Sequence, residues 1–236
     1  ITYMLNGEIE HGDNLGNKGT INSGDVQWMT AGSGIIHQEM PKNQNQKSMW
    51  GFQLWANLPA SNKMVDPKYR DVNKNQIPEV ELDNGTKIKI IAGEINGVSG
   101  PVNDVTIKPE YFDITIPPNS SFNHPVKRGH NVFAYVIDGS AYFDPGLNLE
   151  ISEINTKTGI YNDTCFASSE NLIVYGDGEN ISIKTKEKST RFLLISGKPI
   201  HEPVAWHGPI VMNTQNQLLT AFKEYQNGTF IKNNTL

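Results

Sequence analysis

The sequence predicts an all-β fold in which two antiparallel β modules lie in tandem and one helix closes the chain. Short apolar runs alternate with Gly- and Asn-containing turns, the pattern of a small antiparallel barrel or double-sheet sandwich. This pattern passes through a glycine-containing loop at residues 93–101 and restarts at Val105. The chain has 236 residues, enough for two such modules, each with its own core. We therefore predict domains at residues 1–100 and 101–212, with a C-terminal helix and tail at 213–236.

The first module begins with a strand pattern at residues 1–6, followed by a turn at Asn6-Gly7. A later strand, at residues 50–57, alternates bulky residues with smaller or polar ones, and we expect core positions for Trp50 and Trp55. On the same strand, Gln53 could support a neighbouring functional group by hydrogen bonding. Residues 60–78, rich in Asn, Lys and Asp, predict a long polar surface loop.

The main candidate site lies in the run Ile35-Ile36-His37-Gln38-Glu39. Alternate side chains of a strand share a face, so His37 and Glu39 should point the same way. An imidazole beside a carboxylate suits a divalent metal such as Fe(II), but two protein ligands rarely suffice to hold one. The pair predicts part of a metal site whose remaining ligands come from elsewhere.

The other histidines have no partner at ligand spacing in the sequence. We expect His11 to be solvent-exposed at a strand end, with a metal role as the less favoured alternative. We expect His124 and His130 to be surface or hydrogen-bonded loop histidines, and His201 and His207 to be structural. The single cysteine, Cys165, excludes an internal disulfide and is expected to be a half-buried apolar side chain rather than a reactive thiol.

One helix is predicted near the C-terminus. Thr214 and Gln217 fit a capping box, and Gly228 provides the stop. Leu218, Leu219, Phe222 and Tyr225 form an apolar stripe that should pack on a sheet.

Composition narrows the classes of partner. The net charge is −5 and no dense Lys/Arg cluster occurs, which argues against direct nucleic-acid binding. The chain contains no run of about 18 apolar residues, so no membrane span is predicted. The lone cysteine fits a reducing, cytoplasmic compartment. We expect a monomer. The chain begins at Ile1 inside a strand pattern, so we also expect a preceding segment.

Several motifs, in this order along the chain, resemble the pirin family of bicupins. They are residues 7–11, 24–32, Gly34-Ile35-Ile36-His37-Gln38-Glu39-Met40-Pro41, residues 53–59, Tyr69, Ile77-Pro78, Ala92-Gly93-Glu94, His201-Glu202-Pro203 and Gly208-Pro209. The resemblance covers essentially the whole chain. It implies two cupin-type barrels, also described as double-stranded β-helices, with one mononuclear metal, usually iron, in the N-terminal barrel.

The resemblance also implies a ligand set of three histidines and one glutamate. By alignment, His37 and Glu39 are two of these four ligands, and the family's other two histidines would lie upstream of Ile1. We therefore expect the metal site of this chain to be depleted.

Two function classes and one further possibility fit the resemblance. Some pirin-like proteins cleave flavonols such as quercetin with O2, and Glu39 would then be both a metal ligand and the general base. Other members bind protein partners in transcription and sense redox state through the iron. A degenerate member without metal is the third possibility. The sequence alone does not choose among them.

Overall fold

The computed structural model describes residues 1–41, 48–103, 105, 107–145 and 165–232. Two compact units make up the chain: Ile1–Gln76 together with Ile200–Leu236, and Ile77–Pro199. The described elements are β-strands, two single 3-10 turns at Ala60–Asn62 and Lys74–Gln76, and one helix near the C-terminus. The predicted all-β class with a C-terminal helix is confirmed.

Among residues 1–41 and 48–76, the first unit contains seven strands. They are β1 (Thr2–Asn6), β2 (Glu8–Asp13), β3 (Lys18–Asn22), β4 (Val26–Thr30), β5 (His37–Pro41), β6 (Trp50–Gln53) and β7 (Lys68–Val72). They form two antiparallel sheets, one of order β6-β1-β4-β7 and one of order β3-β2-β5. Apolar side chains such as Tyr3, Met4, Ile9 and Val26 are buried in this unit.

Strand β7 lies within the segment that we predicted as a polar surface loop, and that prediction is wrong for its residues. Lys68–Val72 pairs with β4 along its whole length. The polar composition misled because four of the five residues are polar or charged, although only Lys68 and Asp71 are exposed and Val72 is buried.

The C-terminal part of the first unit contains a hairpin and a helix. The hairpin pairs β18 (Ala205–His207) with β19 (Ile210–Met212), and helix α1 spans Gln215–Gln226. The predicted capping box is confirmed. The hydroxyl of Thr214 accepts a hydrogen bond from the backbone N–H of Gln217, and the side chain of Gln217 accepts one from the backbone N–H of Thr214. The apolar stripe is confirmed only in part, because Leu218 is buried whereas Leu219 and Tyr225 are exposed.

The second unit contains ten strands in its described residues. They are β8 (Glu79–Glu81), β9 (Lys87–Ala92), β10 (Glu94–Ile95), β11 (Val98–Ser99), β12 (Glu110–Ile116), β13 (Ser121–Pro125), β14 (Asn131–Phe143), β15 (Phe166–Ser168), β16 (Leu172–Val174) and β17 (Asn180–Gly197). The long strand β17 pairs with β12, β13 and β14, so one continuous segment serves three partners.

The interior of the second unit is apolar. Its core includes Phe112, Ile114, Ile183 and Phe192, all without solvent exposure. The ladder between β14 and β17 shifts register around Gly139, which has φ +80. A side chain at residue 139 would collide with the carbonyl of Ser189, so this irregularity requires glycine.

His124 is hydrogen-bonded, one of the two roles expected for it, but it is buried on a strand of the second unit and not in a loop. It lies on β13 with Nε2 3.3 Å from Oε2 of Glu110, and Ser196 donates to the same oxygen at 2.8 Å. Burial raises the pKa of Glu110, but these two hydrogen bonds and the charges of His124 and Lys127 outweigh it and lower the pKa below its ordinary value of 4.5.

The units divide the chain at different residues from the predicted domains. The predicted bounds lay at residues 100 and 212, whereas the units divide after Gln76 and after Pro199. Strands β8 and β9 belong to the second unit because β9 pairs with β12. Residues 200–212 belong to the first unit, where Glu202 accepts the backbone N–H of Ala60.

Two further findings concern the described residues. No helix among them is both long and apolar enough to cross a membrane. Cys165 is half-buried, as predicted, and burial together with nearby Asp144 raises the pKa of its thiol. A raised pKa disfavours the reactive thiolate form.

Candidate functional site

His37 and Glu39 lie on β5 and share one face, as predicted. Both side chains are half-buried, whereas Gln38 and Met40 between and beyond them are exposed. Strand β5 pairs with β2, which places Asp13 opposite His37 and His11 opposite Glu39. Directly opposite residues of an antiparallel ladder point to the same side. The inner face of this ladder therefore carries four ionisable side chains.

The carboxylate of Glu39 reaches from one sheet of the first unit to the other. Its Oε1 accepts a hydrogen bond from the hydroxyl of Thr2 at 3.0 Å, and its Oε2 accepts one from the amide of Gln53 at 3.3 Å. Thr2 is on β1 and Gln53 is on β6, both in the four-stranded sheet. The supporting role expected for Gln53 is thus present in the structure. Each oxygen keeps lone pairs for a further partner.

The two hydrogen-bond partners of the carboxylate differ in exposure. Thr2 is buried, but Gln53 is exposed, so the amide edge of the pair borders solvent. The Gln53 side of the carboxylate is therefore its less buried side among the described residues.

His37 presents a buried nitrogen with no hydrogen-bond partner. Its Nδ1 is inaccessible to solvent, and no protein group bonds to it. A buried polar atom without a partner costs about 1–3 kcal/mol, so such atoms usually have a role that the protein chain alone does not fill. A metal ion accepts the lone pair of a neutral imidazole nitrogen and would supply the missing partner.

His11 is buried, and the prediction that it is solvent-exposed is wrong. Only 6% of its surface remains exposed, because the ring fits over Gly19 on the paired strand β3. Any side chain at residue 19 would collide with the imidazole. The ring stacks on Tyr69 with centroids 6.1 Å apart, and its Nε2 lies 3.8 Å from Asp71. The sequence places His11 beside a polar turn, but it does not show that the paired strand covers the imidazole.

Tyr69 on β7 lies among the acidic groups of this region. Burial, followed by the charge of Asp13 and then those of Glu39 and Asp71, raises the pKa of its phenol well above the ordinary value of 10. Tyr69 therefore keeps its proton at physiological pH and can act as a hydrogen-bond donor, not as a base.

Asp13 is occupied by its own turn. Its Oδ1 accepts the backbone N–H groups of Leu15 and Asn17, and its Oδ2 accepts the side-chain amide of Asn17 at 2.6 Å. Although Asp13 lies opposite His37, these bonds direct its carboxylate to the turn. It is a less suitable metal ligand than Glu39.

The residues present fit part of a metal site. Within the described ranges, no three His, Cys, Asp or Glu side chains come together in an arrangement that could hold a metal ion. The pair of His37 and Glu39 offers one nitrogen and one carboxylate, a donor set that suits Fe(II) and related divalent metals. The Nδ1 atom of His37, which has no hydrogen-bond partner, is consistent with a metal ligand at this position.

Trp50 and Trp55 are exposed, and the prediction that they are core residues is wrong. Their exposed fractions are 47% and 55%. The indole N–H of Trp55 donates to Oε1 of Gln53 at 3.3 Å, so this ring is connected through Gln53 to Glu39. Alternation in the sequence identified the strand but not which side of it faced the interior.

Sequence reasoning missed three residues near the pair: Thr2, His11 and Tyr69. Thr2 and Tyr69 come from strands 37 and 30 residues away from Glu39 along the chain. No local motif connects them to His37 and Glu39. A polar residue at a buried position of an apolar strand, as at Thr2, was the one signal available in the sequence.

Comparison with known families matches two parts of the chain. Residues 1–56 match the Pirin family, and residues 111–231 match the Pirin C-terminal cupin domain. Pirin-1 of Arabidopsis thaliana is 43% identical over 230 residues, covering 96% of this chain and 73% of that protein.

Solved structures share the fold of this chain. A crystal structure of quercetin 2,3-dioxygenase from Acinetobacter baumannii superposes with a TM-score of 0.81 at 30% identity, covering 97% of this chain and 74% of that one. Bacterial pirin YhhW from Escherichia coli, solved in complex with nickel(II), matches at a TM-score of 0.59 and 21% identity over 84% of this chain and 72% of that one, a likeness of fold. The bicupin fold class predicted from the sequence is confirmed. The chain belongs to the pirin family.

Proposed function

We propose that this protein is a metal-dependent flavonol 2,3-dioxygenase in which His37 and Glu39 are metal ligands and Glu39 is also the general base. The substrate class is a flavonol such as quercetin, with O2 as the second substrate. The metal in this proposal is Fe(II).

The observation that carries the proposal is the setting of the carboxylate of Glu39. It lies between two sheets, beside a histidine with a buried and unpartnered nitrogen, and hydrogen bonds from Thr2 and Gln53 hold both of its oxygens. A carboxylate held in this way is preorganised, since its orientation is set before the substrate arrives. The 30% identity to the quercetin 2,3-dioxygenase of Acinetobacter baumannii supports the choice of substrate.

In this mechanism Glu39 takes the proton of the flavonol hydroxyl. The O–H bond of the flavonol breaks, its electron pair stays on the substrate oxygen, and the proton moves to a carboxylate oxygen of Glu39. Thr2 and Gln53 keep the carboxylate directed at the substrate during this transfer. A bound Fe(II) supplies Lewis-acid polarisation of the substrate oxygen and the one-electron chemistry that O2 requires.

The two oxygens of the Glu39 carboxylate lie in different surroundings. Thr2 is buried and fixes the inner oxygen, whereas Gln53 is exposed and lies where a ligand would enter. Tyr69 remains protonated and so does not compete with Glu39 for the proton of the substrate.

The test is turnover of quercetin by metal-loaded protein. Protein loaded with Fe(II), and in parallel with Ni(II), is mixed with quercetin in air, and the loss of the near-visible absorption of quercetin is followed. We expect turnover by the wild type and a loss of at least about a hundredfold in Glu39→Gln, since this variant lacks the base.

Glu10→Gln is the matched control. Glu10 lies on the neighbouring strand β2, but its side chain is exposed on the outer face of the ladder. We expect Glu10→Gln to retain wild-type turnover. Equal rates in wild type and Glu39→Gln, with bound metal verified by elemental analysis, would refute the proposal.

A further inference from the structure

Two tryptophans of the first unit form an exposed aromatic pair. Trp55 follows strand β6, and Trp206 lies on the hairpin strand β18. Their ring centroids are 6.2 Å apart and the rings are tilted by 54°. The exposed fractions are 55% for Trp55 and 66% for Trp206, whereas Trp28 of the same unit is 7% exposed.

The polar edges of both indoles are already bonded within the protein. The N–H of Trp55 donates to Gln53, and the N–H of Trp206 donates to the carbonyl of Gly208 at 2.7 Å. The rings therefore offer solvent their apolar faces and carbon edges. Exposed apolar side chains that lie side by side indicate a ligand or partner site more strongly than single exposed ones do.

The pair is held on ordered elements. The backbone N–H of Leu54, next to Trp55, donates to the carbonyl of Ile1 at 2.8 Å. Trp206 pairs with Val211 in the hairpin, and the adjacent His207 packs edge-on against Phe222 of α1 with centroids 5.5 Å apart. The rings thus lose little freedom when something stacks on them, which favours binding.

The pair is continuous with the candidate site. Trp55 donates to Oε1 of Gln53, and the amide nitrogen of the same Gln53 side chain donates to Glu39, with both bonds 3.3 Å long. The exposed pair is therefore linked through the exposed side chain of Gln53 to the carboxylate of Glu39.

We propose that Trp55 and Trp206 form a stacking subsite that binds a planar aromatic ring of the ligand whose hydroxyl group reaches Glu39. The inference rests on the proposed function, because it takes the ligand to be a flavonol. Flat, electron-rich ring systems suit this surface, since aromatic pairs gain from offset and tilted contacts beyond the area that they bury. An aliphatic ligand of the same area would lack that gain.

The test is equilibrium binding of quercetin under nitrogen, measured by titration calorimetry so that no O2 is consumed. One aromatic contact contributes about 0.5–1.5 kcal/mol, so Trp206→Ala should raise the Kd roughly two- to twelvefold. Trp206→Phe keeps an aromatic face and should restore most of the affinity. In turnover assays, Trp206→Ala should raise KM and leave kcat unchanged.

Trp50→Ala is the matched control. Trp50 lies at the start of β6 and is also exposed, but it is not part of the aromatic pair. The Kd of Trp50→Ala for quercetin should equal that of the wild type. Thermal melts of every variant establish that the first unit remains folded, and Trp206→Phe serves if Trp206→Ala does not fold.

The outcomes separate this proposal from the proposed function. Absence of quercetin binding, an unchanged Kd in Trp206→Ala, or an equal loss in Trp50→Ala would overturn the stacking subsite. Binding that depends on Trp206 without any turnover in air would overturn the dioxygenase proposal and support the subsite. Turnover of quercetin in air, with a Kd that Trp206→Ala leaves unchanged, would support the dioxygenase proposal and overturn the stacking subsite.

Discussion

Thr2→Val tests whether the hydrogen bond from Thr2 to Glu39 matters for the proposed reaction. Valine has nearly the shape of threonine, so this buried position stays filled while the hydroxyl is lost. The bond joins Thr2 Oγ1 and Glu39 Oε1 at 3.0 Å, the long end of the range for hydroxyl donors.

The size of the effect follows from that geometry. A hydrogen bond to a charged group contributes about 1.5–3 kcal/mol, and a long one belongs at the lower end. A loss of about 1.5 kcal/mol corresponds to roughly a tenfold fall in kcat/KM. The loss stays partial because Gln53 still holds the other oxygen of Glu39.

The assay measures kcat and KM for quercetin together with the affinity for Fe(II). We expect the fall mainly in kcat or in metal affinity, with an unchanged melting temperature. Thr2→Ser keeps the hydroxyl and should recover most of the activity. Wild-type kinetics and metal retention in Thr2→Val would refute the reasoning, and so would a Thr2→Ser variant as impaired as Thr2→Val, because the methyl group and not the hydroxyl would then be responsible.

Three further predictions follow from single side chains. His37→Ala should lose bound metal in elemental analysis while its melting temperature changes little, since the half-buried ring makes no hydrogen bond through Nδ1; an unfolded variant would identify His37 as a core residue instead. Hydrogen bonds from His124 and Ser196 outweigh burial and lower the pKa of Glu110, so its contribution to stability is present above pH 4.5 and disappears as the pH falls through the lowered pKa. Denaturant melts should therefore show a smaller loss of stability on acidification in Glu110→Gln than in wild type, and parallel acid profiles would contradict this. Thr214→Ala removes the helix cap and should lower the free energy of unfolding by about 1 kcal/mol in the same melts, whereas Thr214→Ser should cost much less; equal losses would exclude the cap as the cause.

Local patterns predicted the elements whose side chains alternate clearly or whose ends carry specific turn residues. The first strand, predicted at residues 1–6, and the helix capped by Thr214 both appear where the sequence placed them. Strand β7 was missed because four of its five residues are charged or polar, and pairing with β4 compensates for the weak local signal.

Burial was harder to predict than secondary structure. We expected His11 to be exposed and Trp55 to be buried, but the histidine is buried and the tryptophan is exposed. A strand pattern shows that two faces exist, but the choice between them depends on what packs against each. Gly19 makes room for the ring of His11, and that contact joins residues of two different strands.

The sequence by itself determined the β class, the C-terminal helix and the common direction of His37 and Glu39, because each depends on a spacing of a few residues that backbone geometry converts directly into structure. Only the tertiary structure decided that Thr2 and Gln53 hold Glu39, that residues 200–212 belong to the first unit, and that Trp55 meets Trp206. These features join segments up to 151 residues apart, the separation of Trp55 and Trp206. Contacts over such separations arise from the packing of whole sheets, for which no short stretch of sequence carries a local signal.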